Sequence, residues 1–395
     1  MRLQLIPSFV DLLLLFSAHL IYSAQAQHYG VTGIKTGIDP QTGARPARRN
    51  ILDMQNDIPT WSLYIQSLTA MQEVPEGDLL SWFQIAGIHG RPYISWDGIE
   101  WNPEAPQIGY CTHFNQILAG HAQKIAKQYN SQIYQTAADK FRIPYWDWAL
   151  NPRMPDVVNA PNVVIETPSG QASVPNPLLL YSFQEFPLNS TWFPEGEGRL
   201  TTYPTTVRNP IDGVSNPDTV NANLGNAQLM QRTYAAFLGN NYNKMATSIS
   251  QNTAFEYGHN KVHQAIGGFN PTNPGHMGTF SYAAFDPIFF LLHTNVDRLL
   301  AMWQAINPTE FIVPEKDNEG SFTNPVGAMV SASTPLTPFT MVDGETPYTS
   351  TSARYTSTFG YSYPEVPDWL PWTPAELAAN VSTQVKALYN PGGTR

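Results

Sequence analysis

The sequence predicts a mainly α fold with large loop insertions and a little β structure. Apolar residues recur at helical spacing over residues 61–74 and 121–134, and a long apolar stripe runs over residues 285–303. Residues 151–225 are instead rich in Pro, Asn, Ser and Thr, which is typical of long connecting loops. Long ordered loops in a compact domain often carry function.

Shorter elements are expected towards the C-terminus. Beyond residue 307 the chain is rich in Pro, Thr and Ser, and residues 355–363 resemble a strand. Residues 373–389 predict a short closing helix. The sequence shows no internal repeat, and its 395 residues can bury a substantial core without disulfide bonds.

The composition is that of a globular protein and excludes some classes of partner. Charged residues make up 13% of the chain and aromatic residues 12%, so a disordered chain is not expected. The formal net charge is -10, and Lys and Arg form no cluster. An acidic chain without a basic patch is a poor candidate for nucleic-acid binding.

The N-terminus resembles a signal peptide over residues 1–26. Arg2 supplies a positive charge, residues 12–18 are apolar, and residues 24–26 form a small-x-small cleavage site, so the mature chain is expected to begin at Gln27. An N-terminal anchor is the alternative. No other stretch approaches the ~20 apolar residues of a membrane span, so we expect a secreted protein without a membrane segment in its mature form.

Two glycosylation sequons and one cysteine bear on this expectation. Asn189-Ser190-Thr191 and Asn380-Val381-Ser382 agree with secretion, although such tripeptides are frequent by chance. The single Cys111 cannot form an internal disulfide. Its thiol is therefore free and buried, paired with another chain, or used in another way.

Three histidines form a candidate metal site. His259 and His263 are four residues apart, which places both imidazoles on one face of a helix. His293 lies in an apolar stretch that begins at Asp286-Pro287, a typical helix start. A buried core histidine is the alternative for His293. Three neutral imidazoles suit Cu, Zn, Fe or Ni, and an apolar shell favours a redox metal.

The same residues resemble a known copper-binding signature. The stretch D-P-I-F-F-L-L-H-T-N-V-D and the preceding H-N-x-x-H are similar to the second copper signature of tyrosinases, catechol oxidases and haemocyanins. The resemblance implies that His259, His263 and His293 bind copper B. The family often has His-His where this chain has Leu292-His293, and the ligand is the second of that pair.

The first copper half-site is partly visible. Residues 82–90 and 109–113 resemble the first two ligand regions of copper A in fungal tyrosinases, which implies His89 and His113 as ligands. In those enzymes the cysteine of C-T-H forms a thioether with the ligand histidine, which implies a Cys111–His113 crosslink. The P-Y-W-D-W segment at residues 144–148 and the tyrosine motif at residues 359–363 also match the family.

One expected motif is missing. In the family a W-H-R-P-Y motif soon follows C-T-H and supplies the third copper A ligand, but this chain lacks it. About four helical turns, roughly 15 residues at 3.6 per turn, are absent. His121 is then an ordinary helix residue, with a substitute ligand as the alternative. Both a gene-model error and a true loss of copper A explain the gap.

The resemblance spans most of residues 45–370 and implies fold and activity together. We expect residues 27–395 to form a single domain in which a four-helix bundle holds a dicopper site. The implied reaction uses two copper ions and O2 to oxidise a small phenolic substrate, an o-diphenol, to an o-quinone, with hydroxylation of monophenols left open. Glu256 and Asn260 match positions that orient a water able to deprotonate a phenol, whereas a solvated helix face is the alternative for Glu256.

Two other functions compete with this one. A degenerate homologue would bind copper only at site B and would not turn over. A secreted carbohydrate- or surface-binding protein would have the same helical bundle but would not oxidise phenols. Copper content, turnover of catechols and binding after metal removal separate the three.

Overall fold

The structure is a computed structural model that describes residues 28–101, 112–194, 198–247, 253–318, 320–321 and 323–392. In this part of the chain the helices are α1 Ile51–Met54, α2 Ile58–Gln72, α3 Trp82–Gly87, α4 Thr112–Ala126, α5 Gln132–Asp139, α6 Pro217–Asn226, α7 Leu229–Phe237, α8 Tyr242–Ala246, α9 Phe255–Gly267, α10 Ile288–Ile306 and α11 Pro374–Tyr389. The mainly α prediction is therefore confirmed.

The strands form small antiparallel pairs. β1 Asn162–Thr167 pairs with β2 Gly170–Pro175, β3 Glu315–Lys316 with β4 Met329–Val330, and β5 Pro335–Thr340 with β6 Pro347–Thr349. Among the described residues no helix combines the length and the apolar character that a membrane span requires.

The core lies between the helices that carry the histidine motifs and those that precede them. α2 packs on α4, and α9 packs on α10, which gives the four-helix arrangement. The ring of Phe114 in α4 stacks on Phe290 in α10 with 3.5 Å between the centroids. Trp82 at the start of α3 meets both rings edge-on, at 5.5 and 5.2 Å. Each such buried ring contributes roughly 1.5–3 kcal/mol to stability.

Helix starts follow the capping signals in the sequence. The Asp286 carboxylate accepts a hydrogen bond from the Ile288 backbone N–H at 3.1 Å, so α10 begins where Asp286-Pro287 predicted it. Thr373 and Glu376 form a capping box at the start of α11. The predicted closing helix is confirmed.

The predicted helix over residues 121–134 is wrong in its extent. α4 ends at Ala126, a 3-10 turn follows over Lys127–Tyr129, and α5 begins only at Gln132. Asn130 between them adopts a left-handed conformation with φ 48°. Asn tolerates this conformation better than most residues, so the chain turns here although the apolar spacing continues.

The strand expected over residues 355–363 is also wrong. A 3-10 turn occupies Thr356–Phe359, and Gly360 follows it with φ 73°. A side chain at Gly360 would collide with the backbone oxygen of Ile34. The alternating aromatics here place Tyr361 and Tyr363 so that both hydroxyls donate to the Asp297 carboxylate, at 2.6 and 2.9 Å.

The segment predicted as long loops contains regular structure that the sequence analysis missed. It holds the β1–β2 hairpin and α6. Arg208 anchors it to α10 through a buried ion pair with Asp286 at 2.7 Å. The same guanidinium donates to the backbone oxygens of Val158 and Leu178, at 3.0 and 2.8 Å. Charged, fully paired bonds of this kind hold the segment in place.

A second buried charge joins α10 to the C-terminal part. Arg298 donates to Asp147 at 3.0 Å, to Glu365 at 2.5 Å and to the Tyr389 hydroxyl at 2.9 Å. Tyr389 in turn donates to Asp147 at 2.8 Å. Two carboxylates and one hydroxyl therefore surround one buried guanidinium, and removal of one partner leaves buried polar groups without hydrogen bonds.

We predict that Tyr389→Phe destabilises the protein by about 1–3 kcal/mol, because the Asp147 carboxylate and Arg298 lose a buried hydroxyl. Chemical denaturation followed by tryptophan fluorescence measures the change. Tyr355→Phe is the matched control. Tyr355 is 58% exposed, so removal of its hydroxyl should leave the unfolding midpoint unchanged. Equal effects of the two variants would contradict the account.

Candidate metal centre

Three histidines from two helices meet in one place. His259 and His263 lie on α9, and His293 lies on α10. Their ring centroids are 4.4 Å (His259–His263), 4.8 Å (His259–His293) and 5.2 Å (His263–His293) apart. One nitrogen from each lies within 4.8 Å of the others. The structure thus brings together the three imidazoles that the sequence spacing predicted to form one site.

Each of these rings is held by an oxygen at Nδ1. His263 Nδ1 lies 2.8 Å from the Met277 carbonyl oxygen, and His293 Nδ1 lies 2.8 Å from the Phe289 carbonyl oxygen. His259 Nδ1 lies 2.8 Å from the Asn260 side-chain oxygen. A carbonyl oxygen can only accept, so Nδ1 carries the proton and donates. In its neutral form each ring therefore has its lone pair on Nε2.

A close backbone approach places one of these oxygens. Gly267 at the end of α9 lies against Gly278, and a side chain on Gly267 would collide with the Gly278 backbone. The absence of a side chain lets the turn at His276–Gly278 pack directly on the helix. That contact presents the Met277 carbonyl to His263.

His89 lies beside the three histidines. It follows α3, and its Nδ1 donates to the Phe280 carbonyl oxygen at 3.1 Å. Its ring meets Phe289 edge-on at 4.8 Å and lies 6.3 Å from the His293 ring. The next residue, Gly90, packs on the Ser281 backbone too closely for any side chain. The predicted ligand His89 thus reaches the cluster from a different part of the chain.

Burial keeps the imidazoles of His89, His263 and His293 neutral. It lowers the pKa of His89 to about 4, with a further lowering from the charge of His259. Burial is also the largest cause that holds the pKa of His263 and of His293 well below the usual histidine value, and the neighbouring histidines add to it. A neutral imidazole is the form that binds a metal ion.

The nitrogen atoms that face the centre fit a metal ion. The Nε2 atoms of His259 and His293 lie 2.8 Å apart, so two lone pairs point at each other unless a proton or a metal ion lies between them. His263 Nε2 is buried and has no hydrogen-bond partner. Three imidazole nitrogens in this arrangement suit a borderline metal such as copper or zinc.

Glu256 and Asn260 are half-buried on α9 and lie next to His259. A Glu256 carboxylate oxygen is 3.6 Å from His259 Nδ1. Burial raises the pKa of Glu256, but hydrogen bonds with His259 and Asn260 outweigh it, and the net pKa lies below the usual glutamate value. The carboxylate is therefore ionised at neutral pH, next to the histidine cluster.

The other two residues predicted for the first half-site are Cys111 and His113. Cys111 and the side chain of His113 lie outside the described part of the chain, so the thioether and the His113 ligand stay predictions. His121 is half-exposed on α4 and takes no part in the group that His259, His263 and His293 form. Burial, together with Lys124, lowers the pKa of His121.

Sequence reasoning missed the groups that orient the rings. The Met277 and Phe280 carbonyl oxygens are backbone atoms, so residue type carries no signal for them. Phe289, whose ring lies 3.8 Å from that of His293, was visible in the motif, but its contact was not placed. The apolar character of residues 288–292 was the available signal for a dry wall beside the site.

Comparisons with known proteins agree with this arrangement. Residues 79–306 match the family described as the common central domain of tyrosinase. The chain is 33% identical over 402 residues to a tyrosinase of Podospora anserina, covering 91% of this chain and 68% of that protein. It is 34% identical over 355 residues to polyphenol oxidase 2 of Agaricus bisporus, covering 82% of this chain and 62% of that protein.

Solved structures show the same fold. A crystal structure of latent and active mushroom tyrosinase is 28% identical, with a TM-score of 0.82, over 93% of this chain and all of that chain. A pro-tyrosinase variant of Aspergillus oryzae, at 24% identity, shares the fold with a TM-score of 0.73, over 94% of this chain and 77% of that one. The chain belongs to the tyrosinase family.

Proposed function

We propose that the chain is a copper-dependent phenol oxidase that oxidises o-diphenols to o-quinones with O2. The observation that carries the proposal is the convergence of three Nε2 lone pairs, each fixed by an oxygen at Nδ1. Membership of the tyrosinase family supports copper as the metal and a phenol as the substrate.

The geometry of the three-histidine cluster supports the copper B ligands, and the family motif supports the copper A ligands. His259, His263 and His293 would hold copper B, while His89 and His113 would contribute to copper A. When bound, the two copper ions supply the electron chemistry between diphenol and O2. The protein supplies fixed ligands and a dry wall, since Phe289 and Leu292 are fully buried beside the histidines.

The proposed proton acceptor is Glu256. Its lowered pKa keeps it ionised at neutral pH, so it can take a phenol proton directly or through a water. Asn260 holds His259 through its side-chain oxygen at 2.8 Å and also hydrogen-bonds Glu256. The amide thus fixes the carboxylate relative to the metal ligand.

The absent third copper A motif favours a second candidate, a homologue that binds copper only at site B and does not turn over. No histidine from α4 joins the cluster among the residues that the structure describes, and His121 stays half-exposed. Sequencing the transcript across residues 113 to 121 tests the gene-model explanation. A transcript that encodes the missing motif would support the active enzyme, and one without it would favour the degenerate homologue.

The remaining parts of the proposal concern processing. We propose that residues 1–26 are removed as a signal peptide and that residues 27–395 act as one secreted domain. A Cys111–His113 thioether would account for the single cysteine. Intact mass and peptide mapping of the copper-loaded protein test both points, since removal of residues 1–26 shortens the chain and a thioether lowers the mass of the peptide that contains Cys111 and His113 by two hydrogens.

We predict that His263→Ala abolishes copper uptake at site B and oxygen consumption with catechol, because one of three converging donors is lost. His121→Ala is the matched control and should keep both. Elemental analysis and an oxygen electrode measure the two outcomes. Catechol turnover by the His263→Ala protein, or its loss in His121→Ala alone, would contradict the ligand assignment.

We predict that Glu256→Gln lowers kcat for catechol by about 10²–10⁴-fold while copper content stays the same, because a general base is lost and the ligands remain. Glu345→Gln, an exposed carboxylate away from the cluster, is the matched control and should leave kcat unchanged. If the Glu256→Gln protein retains full kcat, the carboxylate is not the proton acceptor.

A further inference from the structure

The two glycosylation sequons occupy different structural settings. Asn189-Ser190-Thr191 lies in a turn in which all three residues are exposed. Asn380-Val381-Ser382 lies inside α11, where Asn380 and Ser382 are half-buried and Val381 is fully buried. The same sequence signal is thus displayed to solvent at one site and incorporated in a packed helix at the other.

The conformation of the first sequon suits modification. The Thr191 backbone N–H donates to the Asn189 side-chain oxygen at 2.9 Å, which forms an Asx turn. This turn brings the threonine to the asparagine side chain, and Asn189 Nδ2 donates to none of the described residues. The nitrogen that would be modified is therefore free to react.

The residues that follow this turn pack on the protein core, so a large group on the outer side of the turn leaves the core intact. Phe193 is 3% exposed, and its ring lies 6.1 Å from Phe83 and 5.8 Å from Tyr282. The Trp192 carbonyl oxygen accepts a hydrogen bond from Arg91 at 3.2 Å. The buried side points at the bundle, whereas Asn189 points at solvent.

The helical sequon cannot adopt the same turn. Two positions along an α-helix differ by about 200° around the axis at 3.6 residues per turn, so Asn380 and Ser382 point in different directions. The helix would have to unwind, although Val381 and Tyr389 are fully buried and the Tyr389 hydroxyl is bonded to Asp147. A glycan attached before folding would meet the same packed helix afterwards.

We infer that Asn189 is an N-glycosylation site and that Asn380 is not. The inference rests on the proposed secretion, since the donor is a lipid-diphosphate-linked oligosaccharide of the secretory pathway. Asn189 Nδ2 forms a bond to the anomeric carbon of the first sugar, and the bond from that carbon to the lipid diphosphate breaks. The amide loses one proton, the lipid diphosphate leaves, and no group is oxidised or reduced.

The test is site-resolved glycan analysis of the full chain secreted by a yeast host. The protein from the medium is treated with a glycan-removing amidase in heavy-oxygen water, which converts each glycosylated Asn into labelled Asp. Trypsin then separates the two sequons, because Arg153 and Arg199 bracket Asn189 whereas Arg354 and Lys386 bracket Asn380. We expect label at Asn189 and none at Asn380.

Two variants give matched controls. Thr191→Ala keeps Asn189 but removes the required hydroxyl, and it should abolish the mobility shift that the amidase causes. Thr191→Ser keeps the hydroxyl and should retain the shift, while Asn380→Gln should leave it unchanged. Label at Asn380, with or without label at Asn189, or an unmodified Asn189 in secreted protein, would overturn the inference.

A second version of the protein, with residues 1–26 replaced by the leader of the host, separates this inference from the proposed secretion. If only this version reaches the medium, the proposed signal peptide fails and Asn189 is still tested. If this second version reaches the medium without a glycan at Asn189, Asn189 is not a glycosylation site, whether or not residues 1–26 act as a signal peptide.

Discussion

The hydrogen bond at Nδ1 of each cluster histidine is the constraint on which the site depends. His263 and His293 donate to main-chain carbonyls that cannot change with side-chain rotation, so both rings have one tautomer and one orientation. Burial keeps them neutral by lowering their pKa values. A metal ion then meets aligned lone pairs, and little rearrangement is needed when it binds.

Those carbonyls and the helix that carries His293 are held in place by contacts that do not involve the histidine rings. The Met277 carbonyl depends on the close packing of Gly267 on Gly278, and α10, which carries His293, begins at Asp286. Arg208 binds that same carboxylate and ties the long connecting segment to it. Arg298, near the middle of α10, donates to the Tyr389 hydroxyl of the C-terminal helix. Buried ion pairs thus fix the helix that carries His293.

Local signals predicted the helices that carry His259, His263 and His293 and the cluster that these residues form. The spacing of His259 and His263 and the start at Asp286-Pro287 depend on neighbouring residues alone. The break at Asn130 was missed because apolar spacing continues through it. The carbonyl partners of His89 and His263 depend on chain segments that meet only in the folded state. Residue type therefore carries no signal for them.

His259, His263 and His293 form one cluster, and of the residues proposed for the first half-site His89 lies beside it among the described residues. The proposed chemistry needs two copper ions, because O2 and a diphenol exchange two electrons at a time. Copper content per chain, measured on the purified protein together with catechol turnover, tests this most directly. The account predicts two copper ions per chain with turnover, whereas one copper or none, without turnover, would contradict it.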